Sequence, residues 1–222
     1  MDRRAIVAGA TGLIGRELVR LLLDDPRYVR VTILVRRPIE IRHPKLETRI
    51  IDYAALDRID PDMNGADVFC TLGTTIKKAG TRKAFREVDY GYPLALGRMA
   101  KEGGAAQFLI VTSMGASASS RIFYSRVKGE VEEALSRLEL PALHIFRPSL
   151  LLGKREEFRF GERVASLLLP PLGPLLGKYR PIHARTVAHA MRQAAGLGVT
   201  GTRIYESDEI ARLGGRAGRA SI

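Results

Sequence analysis

The stretch "RAIVAGATGLIG", Arg4–Gly15, decides how the rest of the chain is read. Its first half is a short apolar run of strand-forming residues, and its second half is a glycine turn. "GRELVRLLLDD" follows with apolar residues at helical spacing and stops at Pro26. A strand, a glycine loop and a helix in that order can cradle a phosphate. Gly9 is expected to make the tight turn, Gly12 to let the backbone approach a pyrophosphate, and Gly15 to let helix and strand pack closely. The amides of Thr11, Gly12, Leu13 and Ile14 would then point their partial positive charge at the phosphates. Three glycines alone are a weak signal, equally served by a structural turn. Their place between a strand and a helix gives them weight.

Working outward, the chain keeps alternating. "RVTILVRR", "LETRIID", "ADVFCTLG", "QFLIVTS" and "ALHIFRPSLLLG" are five further strand candidates, the last ending near Pro148. Helices are expected over Arg82 to Lys101, stopped by Gly103 and Gly104, and from about Phe123 to Leu138. Apolar strands separated by helices indicate a parallel sheet covered on both faces, an α/β doubly wound domain of Rossmann type. Residues 1–150 are expected to form its dinucleotide-binding core. Residues 151–213 would be a small substrate-side region integrated with it, and residues 214–222 a mobile tail. Every strand of a parallel sheet ends on the same edge, where ligands bind. Gly9, Arg36, Asp52, Gly73, Ser113 and Pro148 all follow strand ends, so they should line one crevice, with Tyr53, Leu72, Thr74 and Leu150 beside them.

Composition excludes several classes. At 222 residues the chain can bury a core without disulfides or metals, and its one cysteine, Cys70, rules out an internal disulfide framework. Cys70 ends an apolar run and is expected to be a buried, inert thiol. His183 and His189 have no metal-ligand partner at useful spacing, so no metal site is expected. The net charge of +12 would suit phosphates or nucleic acid, yet the arginines are spread along the chain without a nucleic-acid-binding motif. A basic, solvated surface is the simpler account. No uninterrupted apolar run reaches membrane-spanning length and no secretory leader is evident, so a cytoplasmic location is expected. "RVASLLLPPLGPLLGKY", Arg163 to Tyr179, could pack in the core, close over the site, meet a second copy in a homodimer or touch a membrane surface. "ARTVAHAMRQAA" reads as a helix and "TRIYES" as a late strand, with Ser207 capping a last helix.

The second strand end speaks to the choice of cofactor. An acid there would accept from the ribose hydroxyls of NAD, but this chain reads "VRRP", with Arg36 and Arg37 and no carboxylate. Guanidinium groups pair well with a 2′-phosphate, so NADP(H) is preferred over NAD(H). The alternative is two solvated arginines. Asp52 could accept from the adenine amino group or simply form a turn.

"YSRVKG", Tyr124–Gly129, supplies chemistry. A tyrosine and a lysine four residues apart share a helix face. A free phenol is too weakly acidic to act as a base at neutral pH, and a neighbouring ammonium stabilises the phenolate. Ser113 at the fifth strand end can donate to a carbonyl oxygen while Tyr124 exchanges the proton. The expected catalytic set is Ser113, Tyr124 and Lys128, with Tyr124 and Lys128 also facing the cofactor.

Taken together, "GATGLIG", the Ser113 strand end, "YSRVK", "FRPSLLLG" and "PIHARTVAHAM" resemble, in order, the short-chain dehydrogenases/reductases. "CTLGTTIKKAG", "FREVDYGYP" and "VTSMGAS" resemble most the Tat-interacting-protein group of atypical members and its bacterial relatives. The resemblance implies an NADP(H)-binding Rossmann fold and carries over Ser113, Tyr124 and Lys128 as the catalytic trio. Two positions depart from related patterns. Asp89 stands where many extended members have asparagine, which weakens their usual proton relay here. Thr112 is followed by Ser113 and Met114 rather than by the acidic pair of sugar-nucleotide dehydratases. An oxidoreductase acting on a small carbonyl or alcohol is the leading expectation. A regulatory protein that senses NADP(H) and contacts another protein, and an epimerase-like isomerase, are the alternatives.

Overall fold

β1 (Arg3–Ala8) turns Ala5 and Val7 to one face and Ile6 and Ala8 to the other, and all four are buried. A strand apolar on both faces needs cover on both. The computed structural model, which describes residues 2–58, 62–152 and 179–215, supplies it with a seven-stranded parallel sheet. The strand order is β3 (Leu46–Ile50), β2 (Tyr28–Val35), β1, β4 (Asp67–Cys70), β5 (Gln107–Val111), β6 (Ala142–Arg147) and β9 (Gly201–Glu206). β7 (Leu151–Leu152) and β8 (Ile182–His183) form a separate short parallel pair. Winding reverses between β1 and β4, the place where such sheets open a crevice.

On one face α1 (Leu13–Leu23), α6 (Ala184–Ala195) and α7 (Ser207–Gly215) bury Leu18, Leu22, Val187, Met191 and Ile210 against Val7, Ile33, Phe69, Leu109 and Phe146. On the other, α4 (Tyr92–Glu102) and α5 (Phe123–Ser136) bury Leu96, Ala100, Val131 and Leu135 against Ile6, Val68, Phe108, Ile110 and Ile145. Two short helices, α2 (Ile76–Ala79) and α3 (Arg82–Arg86), precede α4, each with a threonine side chain accepting from its first turn.

The single helix expected over Arg82 to Lys101 is instead α3 and α4 joined by a π-helical turn, Glu87–Gly91. Pro93 in the first turn of α4 has no N–H to return to the preceding turn, and the wider turn accommodates that loss. Two other expectations change. Ser207 does not spend its hydroxyl as a helix cap: it accepts from the Ser149 amide at 3.1 Å and donates to the Ser149 hydroxyl at 3.0 Å, joining α7 to the loop after β6. Gly214 and Gly215, assigned above to the tail, close α7, with Gly214 buried against the Thr186 carbonyl. The stretch from Arg163 lies outside the described residues apart from Tyr179, as do residues 216–222.

The N-terminal edge of the sheet, opposite the strand exits, carries a closed polar network. Asp67 accepts from Tyr28 Oη at 2.6 Å, Gln107 Nε2 at 2.7 Å and Arg3 at 3.0 Å. These are the first residues of β4, β2, β5 and β1. Burial raises the Asp67 carboxyl above its ordinary value, against the opposing pull of Tyr28, Gln107 and Arg3. A carboxylate with this many donors is stabilising only as a complete set.

His144 on β6 is wholly buried, its Nδ1 2.9 Å from Tyr205 Oη and its Nε2 without a partner among the described residues. Burial, helped by Arg203, lowers its pKa to about 4. The unfolded chain therefore binds this proton first, and stability falls as pH drops from about 6.5 toward about 4. Between pH 7 and pH 5 the loss from this group should be about 2 kcal/mol. Urea unfolding of wild type and His144→Asn at both pH values should show that difference in slope, and parallel losses would refute it.

Candidate active site

The site begins where three backbone segments meet without side chains. Gly9 adopts φ +85°, and a Cβ there would lie 2.6 Å from the Thr71 carbonyl carbon. A Cβ on Gly15 would collide with the Gly9 carbonyl oxygen, so α1 lies directly on the turn. The Gly12 amide donates to the Gly9 carbonyl at 2.9 Å, and Thr71 Oγ1 donates to the Ala8 carbonyl at 3.0 Å. α1 starts at Leu13 with no side-chain cap and no acid in its first turn. The amides of Leu13, Ile14 and Gly15 thus lack intrahelical acceptors and face no negative side chain of their own turn. Thr11 lies exposed on the turn. This is the geometry that a pyrophosphate requires, and the residues present fit it.

Beyond Val35, Arg36 and Arg37 are exposed and make no hydrogen bond or ion pair among the described residues. Asp52 uses Oδ1 to accept from the Ala54 amide at 2.9 Å, so the turn-forming role is realised. Tyr53 turns inward: its hydroxyl donates to the Leu34 carbonyl at 2.8 Å, and its ring packs 5.5 Å from that of Tyr92. Burial, above all, raises the Tyr53 hydroxyl, and its side chain packs in the core beneath the strand exits rather than being free for a cofactor.

The other half of the crevice is built around Lys128. Lys128 and Asp89 are both buried, and Nζ lies 2.7 Å from Asp89 Oδ1. Asp89 Oδ2 accepts from the Thr74 amide at 2.9 Å. A Cβ on Gly73 would sit 3.5 Å from Asp89 Oδ1 and 3.8 Å from Lys128 Nζ, so the loop after β4 passes closely over the pair, with half-buried Leu72 behind it. Burial disfavours the Lys128 charge, but Asp89 and then Tyr124 outweigh it and hold the ammonium above its ordinary value. Cys70 lies beneath, fully buried, its thiol pushed by burial up to about 12 and therefore inert. Tyr124, part-exposed, stands one turn before Lys128 with its ring 5.7 Å from that of Phe85. The Ser113 Oγ is buried with no hydrogen-bond partner among the described residues.

Several residues that fix this arrangement were not singled out for it from the sequence. Thr112 Oγ1 donates to Glu132 at 2.6 Å, and Arg147 clamps the same carboxylate at 2.5 Å while reaching Glu206 at 3.2 Å. The Met114 amide donates to the carbonyl of buried Pro148 at 2.9 Å, and the Ile182 amide to the Leu150 carbonyl at 2.9 Å. Gly129, directly after the lysine, faces the Ser117–Ala118 peptide so closely that any Cβ would collide with it. The small residue ending "YSRVKG" was the available signal. No cluster able to hold a metal occurs among the described residues.

With this geometry in place, the relatives are informative. The sequence profile of a family described as NAD(P)H-binding matches residues 9–149, from the glycine turn to just past β6. The chain belongs to this NAD(P)-binding, Rossmann-like family. It is similar to Protein HTATIP2 of Rattus norvegicus, 34% identical over 194 residues that span 86% of this chain and 80% of that protein. It is also similar to a protein named "FMP52, mitochondrial" from Eremothecium gossypii, 34% identical over 220 residues, 94% of this chain and 96% of that one. Among solved structures, MoeE5 in complex with UDP-glucose and NAD covers 98% of this chain and 82% of its own with a TM-score of 0.69. Its 16% identity speaks for the fold alone.

Gly129→Ala should push the loop after β5 off α5. A loss of about 1–3 kcal/mol in urea unfolding is expected. An unchanged midpoint would mean that the loop has room to yield.

Proposed function

We propose that this protein is an NADP(H)-dependent oxidoreductase that reduces or forms a small carbonyl compound, with Ser113, Tyr124 and Lys128 as its proton-handling set. The observation that carries the reading is the buried, unpartnered Ser113 hydroxyl at the β5 exit. It lies on the sheet edge that also bears the glycine turn, next to the helix that carries Tyr124 and Lys128. An orphaned buried hydroxyl is costly and is explained by a ligand oxygen that completes it.

The glycine turn and the first amides of α1 would hold the pyrophosphate, and Arg36 and Arg37 the 2′-phosphate. A bound nicotinamide supplies or accepts the hydride. Ser113 Oγ–H donates to the substrate oxygen and orients the carbonyl. Tyr124 gives its phenolic proton to that oxygen as charge develops there, and takes it back when an alcohol is oxidised. The Lys128 ammonium, on the same helix face, favours the phenolate that results to the extent that Asp89 leaves its charge uncompensated. Carbonyl, hydride and proton together make the alcohol.

A second reading is supported by Asp89, whose carboxylate already occupies the lysine: the protein would sense NADP(H) with little turnover. A screen of aldehydes, ketones and quinones with NADPH separates the two, since reproducible turnover removes the need for a purely sensory role. With a substrate in hand, Tyr124→Phe should lower turnover at least about a hundredfold and leave NADPH affinity nearly unchanged. Full activity in that variant would exclude Tyr124 as the proton donor. Fluorescence titration of both cofactors should show Arg36→Glu weakening NADPH binding about tenfold or more, with little change for NADH. Equal wild-type affinity for the two cofactors would remove the 2′-phosphate role.

A further inference from the structure

Lys128 is the only cation that the proposed chemistry gives to Tyr124, and it is not free to act at full strength. Its Nζ is 2.7 Å from Asp89 Oδ1, nearer than an ordinary surface ion pair needs to be, and both side chains are almost wholly buried. The other carboxylate oxygen is held by the Thr74 amide at 2.9 Å, so the carboxylate cannot rotate away without losing that bond. A Cβ added at Gly73 would reach only ordinary van der Waals distance from both groups, so the loop after β4 runs about a methyl's width from the pair. The geometry points to Asp89 as a positioning residue that anchors the Lys128 ammonium and cancels most of the charge it presents to Tyr124. Asp89 then decides how much of the lysine charge reaches Tyr124.

The physical reason is the difference between a charge and a dipole. A lone ammonium a few ångströms from a phenol favours the phenolate strongly. An ammonium with a carboxylate at hydrogen-bond distance presents little net charge, and its field falls off faster with distance. The remaining groups around Lys128 do not restore the balance. Cys70 from β4 is a neutral thiol. Phe85 from α3 packs on Tyr124 and carries no charge. Arg86 is committed to Glu130 and the Tyr90 ring, and Arg126 to the Ser120 carbonyl and the Phe123 ring. Position matters as well: Asp89 lies in the π-helical turn that Pro93 accompanies, where an extra residue swings the side chain inward. An asparagine there could keep the Thr74 bond through its amide oxygen while leaving the lysine charge uncompensated.

This inference rests on reading Tyr124 and Lys128 as the acid–base pair, but its test needs no substrate and no turnover. Protein labelled with carbon-13 at tyrosine Cζ is titrated by NMR, and Tyr124→Phe identifies the Tyr124 signal. Wild type, Asp89→Asn and the double variant Asp89→Asn/Lys128→Met are compared. In Asp89→Asn the Tyr124 midpoint should fall by at least about one pH unit relative to wild type. In the double variant, where both charges are gone, it should lie within about half a unit of wild type. An unchanged or raised midpoint in Asp89→Asn overturns the proposal. So does a wild-type midpoint more than about one unit below that of the double variant, because Lys128 would then be acting uncancelled. The second comparison stands alone if Asp89→Asn does not fold, since the double variant buries no unpaired charge. Where turnover is found, the acid limb of its pH profile should move with the NMR midpoint. Absence of turnover would count against the oxidoreductase reading and leave the NMR result to decide this one.

Discussion

The crevice exists because β1, α1 and β4 approach one another with no side chain between them. Gly9, Gly15 and the Thr71 carbonyl occupy space that a single Cβ at either glycine would claim. That contact sets the tilt of α1 against the sheet and leaves its first amides facing the gap between β1 and β4. Everything that would hold a dinucleotide follows from it: the uncapped helix start, the reversal of winding at the same place and the exit of the β4 loop across the top. The same principle recurs at Gly129, where α5 and the loop after β5 meet peptide to helix.

The two edges of the sheet treat polar groups in opposite ways. At the N-terminal edge, Asp67 is surrounded by Tyr28, Gln107 and Arg3, each the first residue of its strand, and the carboxylate takes all three donors. That edge joins strands and asks nothing of a ligand. At the C-terminal edge, the Ser113 hydroxyl is buried without a described partner and Arg36 and Arg37 stand unpaired beyond β2. Burying a hydroxyl such as that of Ser113 without a partner costs stability, which is the usual mark of a site that something else completes. Thr112, one residue before Ser113, shows the contrast sharply: its hydroxyl is consumed by Glu132, which Arg147 in turn neutralises.

Much of this is legible in the sequence alone. Alternating apolar runs and helical stretches gave the strands, their parallel sense and hence the edge on which Gly9, Asp52, Gly73, Ser113 and Pro148 converge. Less was legible where one residue answers to two demands. Arg82 to Lys101 has a continuous helical pattern, and only the backbone shows that Pro93 comes with a π turn at Glu87–Gly91. Ser207 has the composition of a cap, yet its hydroxyl meets Ser149, a partner 58 residues away. Tyr53 sits beside a strand exit in sequence and points into the core in space.

The order of residue types along the chain determined the class of fold, the glycine cradle and the membership of Tyr124 and Lys128 on one helix face, because these are consequences of local geometry and of period. The partners of the buried charges were decided only by the tertiary structure. Asp89 reaches Lys128 across 39 positions, and nothing local distinguishes that carboxylate from a solvated one. Which ion faces which depends on how two helices and a loop pack around a common interior, and burial rather than sequence distance makes the resulting pairing strong.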